Sequence, residues 1–236
     1  MAAEDNQIEE RKLMKELIIF DMAGTTINDR DEVYRVLREA TERTGARYSD
    51  AEFQQLMGTE KKYAIEKLMS IGGVETSDEA VNEAWEWFRN ELRQTYELNP
   101  PTVLPGVEGA LHTLRESGIK IGLTTGFSRE ITDVILHALG WAGTGIIDST
   151  AAGDEVPAGR PEPYLIQKVM EDVGVTDPAK VLSVGDTEAD IRSAQKAGVM
   201  SAGVLTGHLS QQDFEELGAD AVLETVAEFT NLELLK

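Results

Sequence analysis

The chain has no cysteine and only three histidines among its 236 residues. That excludes disulfides, thiolate nucleophiles and cysteine-ligated metals, and it leaves too few imidazoles for a histidine-rich zinc site. Positive charge is scarce as well: 22 Lys and Arg stand against 43 Asp and Glu, a formal net charge of −21. Such a balance argues against nucleic acid and anionic membranes as partners. It also sets a problem for an anionic small-molecule substrate, which needs a local positive pocket or a bound cation. No apolar run approaches the length of a membrane span. The polar stretch Met1 to Lys12 reads as a frayed terminus and not as a secretory signal, so a cytoplasmic location is the expectation.

What is present is an ordinary globular composition, 41% hydrophobic and 28% charged, long enough for one or two domains with a substantial core. Leu17-Ile18-Ile19-Phe20 reads as a buried strand, followed at once by Asp21 and a Gly24-Thr25 turn. Periodicity then switches to helix. Val33, Val36, Leu37 and Ala40 form one stripe; Phe53, Leu56 and Met57 follow Ser49, a helix cap; Ala64, Ile65, Leu68 and Met69 form a third stripe after Gly58-Thr59. A long helix from about Ser77 to Glu97 carries Val81, Ala84, Trp85, Phe88 and Leu92. Residues 29–101 therefore read as an all-helical insert ending in the linker Asn99-Pro100-Pro101-Thr102. A homodimer contact around Trp85 and Trp87 is one reading of that helix, and the core of the insert explains its stripe more simply.

From Pro105-Gly106 onward strands and helices alternate: strands at Ile119–Thr124, Ile146–Asp148, Val181–Val184, Val199–Leu205 and Ala221–Leu223, helices at Ser128–Leu139, Pro163–Val173, Glu188–Ala197 and Val226–Leu235. This is a βαβ series, hence an α/β fold with a parallel sheet, built from residues 13–28 and 102–236. Three apolar strands end in polar residues: Asp21, then Thr125-Gly126, then Asp186 with Asp190 one helical turn on. In a parallel sheet those ends share one edge. Carboxylates gathered there need a cation, and hard oxygen ligands without His or Cys favour Mg²⁺. Arg160, braced by Pro157 and Pro161, adds a guanidinium suited to a phosphoryl group or carboxylate. Taken singly each is most simply a turn, cap or surface residue; together they fit phosphoryl transfer.

In that combination the chain resembles the haloacid dehalogenase superfamily. Asp21 with Gly24-Thr25, Thr125-Gly126, Arg160-Pro161-Glu162-Pro163 and Gly185-Asp186-Thr187-Glu188-Ala189-Asp190 are similar to its four motifs, over about residues 17–206. The resemblance implies a Rossmann-like core with a helical cap inserted after the first strand. It also implies an aspartyl-phosphate mechanism with Mg²⁺ bound by Asp21, Asp186 and the backbone oxygen of Ala23, Asp190 supporting. Thr125 and Arg160 would hold the phosphoryl oxygens, with Gly24, Thr25, Gly126 and Phe127 around the substrate. Two departures narrow it. Ala23 stands where most superfamily phosphatases carry a second Asp as general acid, and Arg160 stands where most have Lys. Both resemble the phosphonatase branch.

That branch also carries a cap lysine after a Met-Gly pair, which forms a Schiff base with the substrate aldehyde. In Met57-Gly58-Thr59-Glu60-Lys61 the match is Lys61, with Lys62 adjacent as an alternative. The physics agrees. Breaking a C–P bond leaves charge on carbon, an imine supplies the electron sink, and an enamine leaving group needs no acid at position 23. The amine must be neutral to attack. If Thr59 is the helix cap, the helix dipole and Lys62 would lower its pKa, and Glu60 would oppose them. Three positions depart from the branch: Ala64 where a His is expected, Phe127 where a Tyr is, and Met22 where a Trp is. The expectation is a hydrolase acting on a 2-oxoalkyl phosphonate. The alternative is a Mg²⁺-dependent phosphatase or phosphomutase acting on a phosphate monoester, and a ligand-binding role without turnover is a third reading.

Overall fold

The computed structural model describes residues 15–231. The Met1–Lys12 terminus lies outside the described residues, as do Leu13, Met14 and the end of the helix expected through Leu235. Leu17–Asp21 (β1) is the centre of a six-stranded parallel sheet and is buried along its whole length. Its neighbours are Lys120–Thr124 (β4) and Val181–Gly185 (β6). Ser149–Ala151 (β5) closes one edge, and Met200–Val204 (β7) with Ala221–Leu223 (β8) the other, in the order β5-β4-β1-β6-β7-β8. From β1 the chain runs to one side through β4 and β5, then returns to β6 on the other. That reversal beside β1 opens a crevice at the carboxyl ends of the strands. Register aligns them there: Asp21 lies opposite Thr124, and Phe20 opposite Val184. Helices Val107–Glu116 (α5), Arg129–Ala138 (α6), Tyr164–Val173 (α7), Glu188–Ala197 (α8) and Gln211–Leu217 (α9) surround the sheet. With both faces covered, β1 can be continuously apolar, and each such side chain contributes about 1.5–3 kcal/mol by leaving water.

Four helices lie between Asp29 and Pro101: Glu32–Glu42 (α1), Asp50–Gln54 (α2), Lys61–Ile71 (α3) and Asp78–Leu98 (α4). The stripes read from the sequence face one another, burying Val36, Leu37, Ile65, Leu68, Phe88 and Leu92. Trp85 stacks on Phe88, and the Arg43 guanidinium sits over Trp87, so both indoles serve the packing of these helices. Chain entry and exit are adjacent. Ile27–Asn28 (β2) pairs antiparallel with Thr102–Val103 (β3), a two-stranded ribbon that the sequence reading does not foresee. Arg30 donates to the Asn99 carbonyl at 2.6 Å across the same junction.

Several boundaries differ from the sequence reading. The strand expected at Ile146–Asp148 forms at β5 instead, because the Asp148 carboxylate accepts from the Ile121 amide at 2.8 Å and from Arg115, taking the place of a strand partner. Helix α2 ends before Leu56 and Met57, which pack from the following turn. Beyond Val226 the described chain is a 3₁₀ turn, Val226–Thr230. Helices α5 and α9 were not anticipated.

Candidate active site

The loop after β1 curls around one carbonyl. The amides of Thr25, Thr26 and Ile27 all point at the Met22 oxygen, and the Thr26 hydroxyl bridges the carbonyls of Asp21 (3.0 Å) and Met22 (3.2 Å). Gly24 adopts φ 87°, a left-handed turn, and a Cβ there would strike the Asp186 carboxylate. Glycine thus lets the ends of β1 and β6 close on each other. Gly207, in the loop after β7, clears the other side of the same carboxylate. The Thr25 hydroxyl donates to Asp186 at 2.8 Å.

The acids do converge. Oxygens of Asp21, Asp186 and Asp190 lie within 4.8 Å of one another, and all three residues are buried. Arg160 bridges two of them, Nη2 to Asp21 at 2.5 Å and Nη1 to Asp190. Asp190 also accepts from the Thr187 hydroxyl and amide as the capping box of α8, so it braces Arg160. Asp186 has no ion pair among the described residues. Burial first, then the Asp21 charge, push its carboxyl up to about 7. A set of hard, buried oxygens with one carboxylate short of positive charge fits a divalent cation such as Mg²⁺. Thr125 tops β4, its hydroxyl accepting from the Phe127 amide at 3.1 Å. The Phe127 ring packs edge-on against Tyr96.

The turn before α3 closes over this edge. A Cβ on Gly126 would lie 2.5 Å from the Thr59 carbonyl, and one on Gly159 2.5 Å from Glu60 Cβ. Gly58 in turn presses against Thr187. Met57 stands beside Asp186 and Thr187 in a neighbouring hollow. Glycines on both sides therefore allow near backbone contact between the helical insert and the sheet edge. The cap of α3 is Glu60, not Thr59: its carboxylate accepts from the amides of Lys62 and Tyr63. This leaves Lys61 as the first helical residue, turned inward and 4% exposed. Its Nζ donates to the Thr59 carbonyl at 2.9 Å. The amine is lowered to about 8, by burial first and then by the Arg160 guanidinium, against the pull of Asp21, Glu60 and Asp29. Arg160 thus takes the part expected of Lys62, whose side chain lines an outer hollow with Trp85, Arg89 and Arg160 itself.

Two site residues escaped the sequence reading. Asp29 is buried at the foot of α1, accepting from the Val33 amide at 3.0 Å and the Tyr96 hydroxyl at 2.8 Å, and burial raises its pKa. Tyr34 lies one turn on, with the Lys61 Nζ 5.8 Å from its ring centre. With Ala23, Gly24, Asp29, Asp186 and His208 it lines a cavity of about 160 Å³. Burial, followed by Asp186 and Asp21, raises its phenol well above the usual range.

Residues 18–204 match the family described as haloacid dehalogenase-like hydrolase. A phosphonoacetaldehyde hydrolase of Parabacteroides distasonis is 30% identical over 205 residues, covering 80% of this chain and 76% of that protein. Among solved structures, a phosphonoacetaldehyde hydrolase-like protein from Oleispira antarctica superposes with a TM-score of 0.79 at 24% identity, covering 93% of each chain. CbbY from Rhodobacter sphaeroides, in complex with phosphate, superposes with a TM-score of 0.77 at 20% identity over 94% of this chain and 99% of that one. Likeness at those identities carries the fold alone.

Proposed function

Since this chain belongs to the haloacid dehalogenase-like hydrolases, we propose that the reaction built on Asp21 is cleavage of the C–P bond of a 2-oxoalkyl phosphonate such as phosphonoacetaldehyde. One observation carries the reading. A lysine with a depressed pKa is sealed against the phosphoryl-transfer edge, in a site where Ala23 offers no acid for an ester oxygen.

In this reading Lys61 condenses with the substrate carbonyl and expels water. Asp21 then attacks phosphorus in line. The C–P electron pair passes into the imine, leaving an enamine on Lys61 and a phosphoryl group on Asp21. Water cleaves the aspartyl phosphate, and the enamine is protonated on carbon and hydrolysed. Arg160, the Thr125 hydroxyl and the Gly126 amide hold the phosphoryl oxygens; Gly24 and Thr25 keep Asp186 in place. Mg²⁺ held by Asp21, Asp186 and the Ala23 carbonyl would neutralise phosphoryl charge. Residues 29–101 act as the cap, and its closure at Gly126 and Gly159 excludes water from the imine.

The test is to incubate the protein with Mg²⁺ and phosphonoacetaldehyde, trap with borohydride and map the adduct by mass spectrometry. The expected outcome is a reduced adduct on Lys61, and phosphate release without borohydride that the Lys61→Ala variant loses by at least about 10²-fold, the usual scale for removing a reacting group. Phosphate release from monoesters that survives Lys61→Ala, with no lysine adduct, overturns the reading and leaves a phosphatase or phosphomutase. An adduct on Lys62 reassigns the nucleophile.

A further inference from the structure

Condensation at Lys61 needs a proton moved from nitrogen to oxygen, and most polar groups around that nitrogen are already committed. Asp21 and Asp190 are ion-paired with Arg160, which has no proton to give at neutral pH. Glu60 caps α3. Asp29 accepts from two amides and the Tyr96 hydroxyl. The hydroxyls of Thr59 and Thr25 donate to the Leu56 carbonyl and to Asp186. Thr125 faces the phosphoryl position assigned above. Tyr34 remains. Its hydroxyl has no hydrogen-bond partner among the described residues, it lines the cavity that reaches Asp186, and its ring lies beneath the Lys61 nitrogen.

We propose that Tyr34 is a further catalytic residue of this site, a proton relay for imine formation at Lys61; the proposal rests on the Schiff-base reading. As Nζ bonds to the carbonyl carbon, the C=O π pair moves onto oxygen and takes the Tyr34 proton, while the phenol oxygen receives a proton from nitrogen. Tyr34 is neutral before and after. In the second step the carbinolamine oxygen takes the Tyr34 proton, the C–O bond breaks and water leaves. The nitrogen pair forms C=N and keeps the remaining N–H proton, so that the protonated imine can take the C–P pair and become an enamine, while the Tyr34 phenolate is reprotonated by solvent water. The substrate this selects is one with a carbonyl two bonds from phosphorus.

Tyr34→Phe keeps the ring against Phe53 and His208 and removes only the relay. Borohydride-trapped adduct on Lys61 is followed by rapid quench, with thermal unfolding as the check on packing. Expected is a slowing of adduct formation by about 10²-fold, the scale of a general acid–base group, with the unfolding midpoint held and the rate restored in proportion to added imidazole. Adduct forming at the same rate in both proteins overturns the inference alone. Slow formation that imidazole does not restore, with a lowered midpoint, assigns Tyr34 to packing and overturns it too. No adduct in the unsubstituted protein overturns the Schiff-base reading, and this inference falls with it.

Discussion

Lys61 sits between opposing influences, and the sign of the result has a kinetic consequence. Burial and the Arg160 charge disfavour the ammonium, while Asp21, Glu60 and Asp29 favour it; the first pair wins and the amine titrates at about 8. A lowered lysine pKa means the nucleophilic form is the minor one below that pH, falling tenfold per unit. The initial rate of adduct trapping should therefore climb with slope one up to about pH 8 and then level. A rate still climbing toward the ordinary lysine value of 10.5 would show an exposed, unperturbed amine. The sequence announces Asp21, Thr125 and Asp186 because each follows directly on an apolar strand, and the sheet edge that unites them follows from the βαβ order. Tyr34 and Asp29 are silent there. An Asp before a helix reads as a cap, and Tyr34 stands beside the apolar stripe of α1, not in it. Only the packing of α1 against α3 and α4 gives them their neighbours, Lys61 for Tyr34 and Tyr96 for Asp29.

At the scale of elements, the seam between the turn before α3 and the sheet edge is defined by missing side chains. Gly159 has no Cβ to hold the Glu60 backbone away. Gly159→Ala inserts a methyl group 2.5 Å from Glu60 Cβ and 3.3 Å from its amide nitrogen, and neither neighbour can move without shifting the cap of α3. The expected result is a fall in kcat of about tenfold or more, as misplacement by about an ångström commonly costs. The pH profile for trapping should shift upward as water reaches Lys61. An unchanged profile would show that the seam does not seal the lysine. Boundaries were legible unevenly. The start of α2 is legible in Ser49, whose side chain accepts from the Glu52 amide, because a cap is a local signal. The stripe Val107, Ala110, Leu111, Leu114 of α5 is as regular as that of α1, so periodicity alone suffices to find that helix. Helix α9 buries one side chain, Phe214, too few to show a period. The Ile146–Asp148 strand was misplaced because two Ile suggest a strand, whereas a side chain–amide bond from Asp148 decides where pairing begins.

For the whole molecule, charge dominates. With a net charge of −21 the protein repels an anionic substrate, and the buried Arg160 is already shared between two carboxylates. Raising ionic strength from about 0.01 to about 0.15 M shortens the Debye length from about 30 to about 8 Å. We expect kcat/KM for a phosphonate substrate to rise severalfold over that range with kcat nearly constant; a fall with salt would mean that a local positive field outweighs the surface. No helix among the described residues is long and apolar enough to cross a membrane. The ribbon joining Ile27 to Val103 and Asn28 to Thr102 has a different kind of consequence. Because the chain departs and returns through two adjacent residue pairs, another set of helices can be spliced between them without disturbing the register of any sheet strand. On the proposed reading, attack at phosphorus would then be inherited unchanged while the part proposed to choose the leaving group diverges at its own pace. A graft of 29–101 between relatives is the natural unit for transplanting specificity.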